Sequence, residues 1–407
     1  MNRRVFITGY GVITAIGNNA EENYQSLVSR KCGYGRIDIL ETVHRDSIFA
    51  CEVKLSHKEL CDMAGVPEGE GFTRTALLAL IAAKEAAASA SLSKKDLQDA
   101  GIISGTTVGG VKEFEDNYSD MQDPVRPGAY LQYLNTSDSG EHTERLADFF
   151  GAKKFVVTTS TACTSAANAI IFGARLIAAG MADRFICGGS EGLSKMTLNG
   201  FNSLMILDKK HCRPFDEDRN GLNAGEGAAY LVLESEAALL KSASASGRRA
   251  IAEMRGYANV NEAFHQTAAS PDGAGACKAM RKAIEMAGLA PGDIDYIQAH
   301  GTGTENNDLA EGLAIQNLFG TDPPPFSSTK AYTGHTMSAA GGVEAAFCMI
   351  AFANDVIFPN VNFSEPMKEI TVRPVTEVVR GAGLKNILSN SFGFGGAAST
   401  LLFTKCK

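Results

Sequence analysis

Strand-like apolar runs alternate with alanine-rich helical runs in both halves of this 407-residue chain. A chain with that rhythm has to bury its sheet between helical layers, which leaves few architectures open. In the first half, Val5 to Thr8, Ala100 to Ser104, Phe155 to Thr159, Arg184 to Gly188 and Gly227 to Leu233 read as strands. Arg74 to Ala90 and Thr164 to Gly180 read as helices. In the second half the strands are Ala250 to Ala258, Ile294 to Gln298, Leu384 to Ser391 and Ser399 to Phe403. Ala274 to Ala287, Asp308 to Phe319 and Gly341 to Asn354 are its helices. Each half also has a strand ending in a loop of small polar residues, Thr158 to Cys163 and Ala299 to Thr304. The expectation is two similar α/β units, residues 1–248 and 249–407, meeting in the polar stretch Ser242 to Arg249.

A net charge of -8 argues against nucleic acid or an anionic membrane as a bulk partner. The nine cysteines are scattered, with no C-x-x-C and no zinc-finger spacing, which fits a reduced, cytoplasmic chain. Met1 to Gly9 imitates a signal peptide. However, Gly9, Gly11 and Gly17 interrupt the apolar run, which reads as a strand and a turn. No stretch reads as a membrane span.

Cys163 is the leading candidate nucleophile. It sits in Thr-Ser-Thr-Ala-Cys-Thr-Ser, between a strand and a helix. Backbone N–H groups and the helix dipole at such a junction favour negative charge, which predicts a lowered thiol pKa and a stabilised oxyanion nearby. A structural cysteine needs no such elbow.

Two of the seven histidines stand out. His300 ends an apolar run in Gln-Ala-His-Gly-Thr-Gly-Thr, and His335 precedes an Ala/Gly-rich helix in Ser-Ser-Thr-Lys-Ala-Tyr-Thr-Gly-His. Catalytic groups concentrate in such element-end loops; the other five histidines read as structural or surface residues. Lys330 shares the His335 loop. Glu344 lies on the apolar helix beyond, where it is either exposed or paired with Lys330 or a histidine. Asn390 to Gly396 forms a Gly-Phe-Gly-Gly turn whose backbone can approach a ligand closely. Gly105 to Gly110 lacks a Walker lysine and is not read as a phosphate cradle.

T-A-C-T-S, A-H-G-T-x-T, S-S-T-K-x-x-T-G-H and N-S-F-G-F-G-G occur here in that order. The chain resembles the β-ketoacyl-acyl-carrier-protein synthases of the elongating, Cys-His-His class over nearly its whole length. The openings Arg3 to Val12, Cys212 to Asp216 and Gly225 to Gly227 are similar as well. The resemblance implies a thiolase-like five-layered αβαβα fold made of two pseudo-equivalent halves, as a homodimer or as a heterodimer with a chain-length-factor-like homologue. It implies that Cys163 takes an acyl chain from a carrier-protein thioester. The N–H groups of Cys163 and Phe394 would form the oxyanion hole. His300 and His335 would promote decarboxylation of malonyl carrier protein for a Claisen condensation, with Lys330 and Glu344 ordering the site. Thr302, Thr304, Phe392 and Gly395 would meet pantetheine or substrate, and Phe394 would gate. No metal or bound organic cofactor is expected.

Departures from the pattern are Gly303, Glu305, Ala397-Ala398 and a short segment before Arg213. Between Pro67 and Thr75, where basic residues commonly meet an acidic carrier, only Arg74 is basic; Lys209, Lys210 and Arg213 offer a smaller patch. These features fit fatty-acid elongation or a specialised polyene or polyketide pathway. Cys163 argues against a chain-length factor, and the absence of a C-terminal Cys-x-Gly loop argues against a thiolase. Thr333-Gly334-His335 argues against a Cys-His-Asn priming synthase. A non-catalytic carrier-binding subunit is the alternative of a different class.

Overall fold

The computed structural model describes residues 3–125, 128–246 and 249–406. Ten strands form one continuous sheet system. In the first half these are β1 (Val5–Thr14), β2 (Gly101–Gly105), β3 (Val156–Thr159), β4 (Arg184–Glu191) and β5 (Gly227–Ser235). In the second they are β6 (Ala252–Asn261), β7 (Tyr296–Gln298), β8 (Phe326–Ser327), β9 (Asn386–Gly393) and β10 (Ala397–Lys405).

The order across the first half is β1-β5-β4-β2-β3, and across the second β6-β10-β9-β7-β8. The pairing directions also match: two antiparallel pairs, then two parallel ones, in each half. The halves are therefore topological copies. Among the described residues they pair edge to edge at Phe6↔Glu253 and Ile7↔Ala252. Residues 247 and 248, at the N-terminal side of the seam expected at 248/249, lie outside the described residues.

Helices complete the layers. On the outside of the first sheet, α1 (Arg74–Ser89) packs on β1, β5 and β4, with α2 (Glu141–Phe150) beside it. Between the sheets run α3 (Ser165–Ala178) and α7 (Ala340–Asn354). Each of them touches strands of both halves. On the far side, α5 (Ala274–Ala287) covers β6, β10 and β9, with α6 (Glu305–Phe319) against it; α4 is the short Lys195–Ser203. This is the five-layered αβαβα, thiolase-like fold.

Being walled by protein on every side explains α7. The stretch Met337–Asn354 is apolar enough in composition to cross a membrane, yet 89% of it is buried within the fold. Small residues let α3 and α7 touch: a Cβ on Gly341 would lie 2.8 Å from the Ala167 Cβ.

Gly9 and Gly11 do not end the first strand, as the sequence had suggested. β1 runs through both to Thr14, with a register shift between Ile7 and Gly9. Their role is close approach, since a Cβ on Gly11 would sit 2.2 Å from the Ala82 carbonyl oxygen of α1. Gly11→Ala is expected to cost about 1–3 kcal/mol of stability by overpacking, read as a lower Tm in thermal denaturation.

Candidate active site

β3 delivers Cys163 through a tight turn. Ala162 takes a left-handed φ of 50°, an uncommon conformation for a residue with a Cβ. The turn is held by Thr161 N–H to Ser165 Oγ (2.8 Å) and Thr164 Oγ1 to Thr161 O (2.7 Å). Beyond it α3 begins. The sulfur comes to rest 3.1 Å from His335 Nε2, across 172 positions of sequence. Gly393, the last residue of β9, packs on the Cys163 amide: a Cβ added there would lie 3.2 Å from that nitrogen.

The expected lowering of the thiol pKa is overturned. Burial pushes Cys163 up to about 12; Lys330 pulls it down, and Glu344 and Glu191 oppose that. The helix terminus acts only locally, whereas packing of the second half removes water from the sulfur, and desolvation wins. The resting group is a thiol, with His335 Nε2 as its hydrogen-bond partner.

His300 follows β7. Lys330 Nζ donates to its Nδ1 at 3.0 Å and to its carbonyl oxygen at 2.6 Å, and pairs with the Glu344 carboxylate. A lysine ammonium has no acceptor, so Nδ1 must be the bare nitrogen and Nε2 carries the proton. Burial, then Lys330, then His335 hold His300 well below the usual histidine range. Burial and Lys330 do the same to His335. The site therefore holds two neutral imidazoles, with ring centroids 5.3 Å apart and planes nearly perpendicular. Glu344 is the paired, buried residue rather than the exposed one. Burial pushes its carboxyl up to about 7 against the pull of Lys330.

Two carboxylates were missed. Glu311 of α6 accepts from the backbone N–H groups of His300 (2.9 Å) and Gly301 (2.8 Å) and from Asn390 Nδ2 (3.1 Å). Asp308 accepts from Phe215 N (2.7 Å) and Gly303 N (3.1 Å). Three residues apart, they share one helix face and brace the His300–Thr304 loop from beneath. The signal was available, because Glu311 sits among Ala310, Gly312 and Ala314 much as Glu344 sits among alanines.

A cavity of about 280 Å³ opens onto this centre, lined by Cys163, His300, His335, Thr302, Thr304, Phe392 and Phe394 among others. The Thr302 and Thr304 hydroxyls are hydrogen-bonded at 2.8 Å. Phe394 stands at the mouth, 36% exposed, its ring edge-on to Phe201. Lys330 and Glu344 lie behind the histidines and do not line the cavity. Gly395 does not line it either. Its N–H and carbonyl are taken by Gln266 O and Asn261 Nδ2, on the outer side of the turn.

Arg74 is no surface cation. It is 4% exposed and holds the Glu226 carboxylate through Nε (2.8 Å) and Nη2 (2.6 Å). Lys209 and Lys210 are exposed, and Arg213 partly so. Among the described residues no cluster has the makings of a metal site, and all nine cysteines are free.

A five-layered fold whose two halves bring a buried thiol and two neutral histidines to one cavity defines a thiolase-like condensing centre. The family models agree. Residues 2–238 match the N-terminal domain of β-ketoacyl synthase, and residues 251–364 match its C-terminal domain. The chain belongs to the β-ketoacyl synthase family.

It is 35% identical to the 3-oxoacyl-[acyl-carrier-protein] synthase 2 of Synechocystis sp., over 99% of this chain and 98% of that protein. It is 33% identical to the synthase 2 of Staphylococcus aureus, over 99% of each chain. A chain of the ishigamide ketosynthase/chain length factor structure superposes with a TM-score of 0.90 at 31% identity, each chain covered completely. A chain of the ketosynthase–chain length factor complex from Xenorhabdus doucetiae gives 0.83 at 28% identity, covering 99% of this chain and 98% of that one.

Proposed function

We propose that this chain is a 3-oxoacyl-acyl-carrier-protein synthase, joining an acyl group to a malonyl-derived two-carbon unit. The observation that carries the reading is the meeting of Cys163 Sγ with His335 Nε2 at 3.1 Å, beside a His300 whose tautomer Lys330 fixes. Cys163 Sγ attacks the acyl thioester carbonyl. The C–S bond to the carrier breaks, the carrier thiol leaves with the proton, and acyl-Cys163 remains. The N–H groups of Cys163 and Phe394 are assigned to the oxyanion. This is supported by the packing of Gly393 against the Cys163 amide.

A malonyl thioester then loses CO₂. The electron pair of the broken C–C bond passes into an enolate, whose oxygen takes hydrogen bonds from the imidazole N–H groups of His300 and His335. The enolate carbon attacks acyl-Cys163, a C–C bond forms, the C–S bond breaks, and the departing thiolate takes up a proton from solvent to return the thiol. Two neutral histidines suit this step, since they donate hydrogen bonds without protonating the carbanion. Departure of CO₂ drives it with no metal or organic cofactor. Thr302 and Thr304 are assigned to the pantetheine arm and Phe392 to the cavity wall.

The names of the curated relatives support a carrier protein as the substrate's bearer. The structural likenesses support assembly with a chain-length-factor homologue, and a homodimer is the other arrangement proposed. The edge strand β3, with Val156 partly exposed, and Phe172 of α3, likewise partly exposed, offer a surface suited to either. Fatty-acid elongation and a polyene or polyketide pathway both accord with this chemistry, and nine free thiols support a cytoplasmic setting.

The test is to mix the protein with acyl- and malonyl-carrier proteins and follow CO₂ and 3-oxoacyl product. Absence of both would refute the proposal. His335→Ala is expected to leave acylation of Cys163 detectable while decarboxylation falls by about 10²–10³, measured as separate half-reactions. Equal rates for variant and parent in the second half-reaction would remove His335 from its role.

A further inference from the structure

The strip Asn220–Gly225 lies between three parts of the cavity wall and is bonded to all of them. Gly221 N–H donates to Gly303 O (2.9 Å), and Leu222 exchanges backbone bonds with Ile206 (2.9 Å) and Asp208 (2.8 Å). His335 N–H donates to Asn223 O (2.8 Å), and Gly225 N–H donates to His335 O (2.9 Å).

The Asn223 side chain does more than fill space. It is 3% exposed, yet every polar atom is used. Its Oδ1 accepts from Cys212 N–H at 2.8 Å. Its Nδ2 donates to Lys210 O at 2.9 Å and to Asp208 O at 3.2 Å. One carboxamide thus fastens the short segment before Arg213 at three backbone points, where a longer loop would have had contacts of its own. That segment reaches the Thr302 loop in turn, because Cys212 S–H donates to Thr302 O at 3.2 Å.

We propose that Asn223 is a positioning residue for the condensation, setting the spacing between the Thr302 wall, which would hold the thioester arm, and His335, which meets the nucleophile. The carboxamide fixes the 206–212 segment and, through Cys212, the Thr302 loop; the carbonyl of the same residue fixes the His335 backbone. A buried amide with all its bonds made is rigid, and removal strands the Cys212 N–H and two carbonyls. The inference rests on the condensing activity proposed above.

The experiment uses acyl- and malonyl-pantetheine as substrates, so that carrier docking plays no part, together with site-resolved alkylation of Cys163 by iodoacetamide. For Asn223→Ala, kcat/KM for condensation is expected to fall by about 10- to 10²-fold, mostly through KM. Alkylation of Cys163 should stay within about twofold, because a small reagent needs no wall. General loosening of the structure would instead expose the buried thiol and speed its alkylation as kcat/KM falls, and that result in a folded Asn223→Ala would overturn the proposal.

Cys212→Ala cuts only the link to Thr302 and is the milder variant. It is expected to raise KM about 3- to 10-fold, the worth of one hydrogen bond, and it decides the matter if Asn223→Ala does not fold. Parent-like KM in Cys212→Ala together with parent-like kcat/KM in any folded Asn223→Ala overturns the positioning role while leaving the activity standing. A parent protein that releases no CO₂ and forms no product overturns both.

Discussion

Cys163→Ala is expected to form no 3-oxoacyl product at all, while still releasing CO₂ from a malonyl thioester. The first half of that result follows from there being no second thiol at the centre. Of the nine cysteines, Cys163 is the one that lines the cavity with the two histidines. Without its sulfur there is no acceptor for the acyl group, and intact-protein mass spectrometry should show no acyl adduct. The second half follows from where the charge develops. The enolate oxygen is held by imidazole N–H groups, and His300 keeps its Nε2 proton because Lys330 occupies Nδ1 at 3.0 Å, a contact that does not involve the thiol. Decarboxylation and condensation should therefore come apart in this variant. An acyl adduct on the variant, or product formed at the parent rate, would show that Cys163 is not the nucleophile.

The thiol also shows where sequence reading succeeds and where it stops. The elbow was legible, because a short strand, small residues and a helix follow one another within about twenty positions. So was the α/β rhythm in each half, and so were the loops bearing His300 and His335. The sign of the thiol pKa was not legible. Dipole and amide effects belong to neighbours in sequence, whereas desolvation comes from residues such as His335, 172 positions away. The burial of Arg74 was not legible for the same reason, since the Glu226 it pairs with is 152 positions on. Gly395 shows a subtler limit. A Gly-Phe-Gly-Gly turn can be recognised, but which side of it faces the cavity depends on the loop at Gln266 that takes up its N–H. The matched strand orders of the two halves are likewise a property of pairing, which no local pattern encodes.

Lys330 carries the other large effect, because one ammonium does two separable things. It orders His300, and it neutralises Glu344; Lys330 and Glu344 are each 2% exposed, deep in the fold. Removing one partner of a buried ion pair costs about 3–5 kcal/mol, since the other is left charged without compensation. Lys330→Met should therefore lower stability markedly at neutral pH. The loss should shrink as the pH falls, because an unpaired Glu344 then takes up a proton. Burial already raises this carboxyl to about 7 in the parent. The sign is that of a raised acid: its penalty is absent below the unfolded value near 4.5 and grows as pH rises through the folded one. Pairing Lys330→Met with Glu344→Gln removes both charges and should restore most of the stability. It should not restore catalysis. With no donor at Nδ1, His300 is free to take the other tautomer and present a bare Nε2 to the enolate oxygen, and decarboxylation is expected to stay about 10²–10³ below the parent. Denaturant melts and CO₂ release measured on the same three proteins separate the two effects. Recovery of decarboxylation along with stability in the double variant would mean that Lys330 acts only as a counter-charge, and that the tautomer of His300 is set by something else.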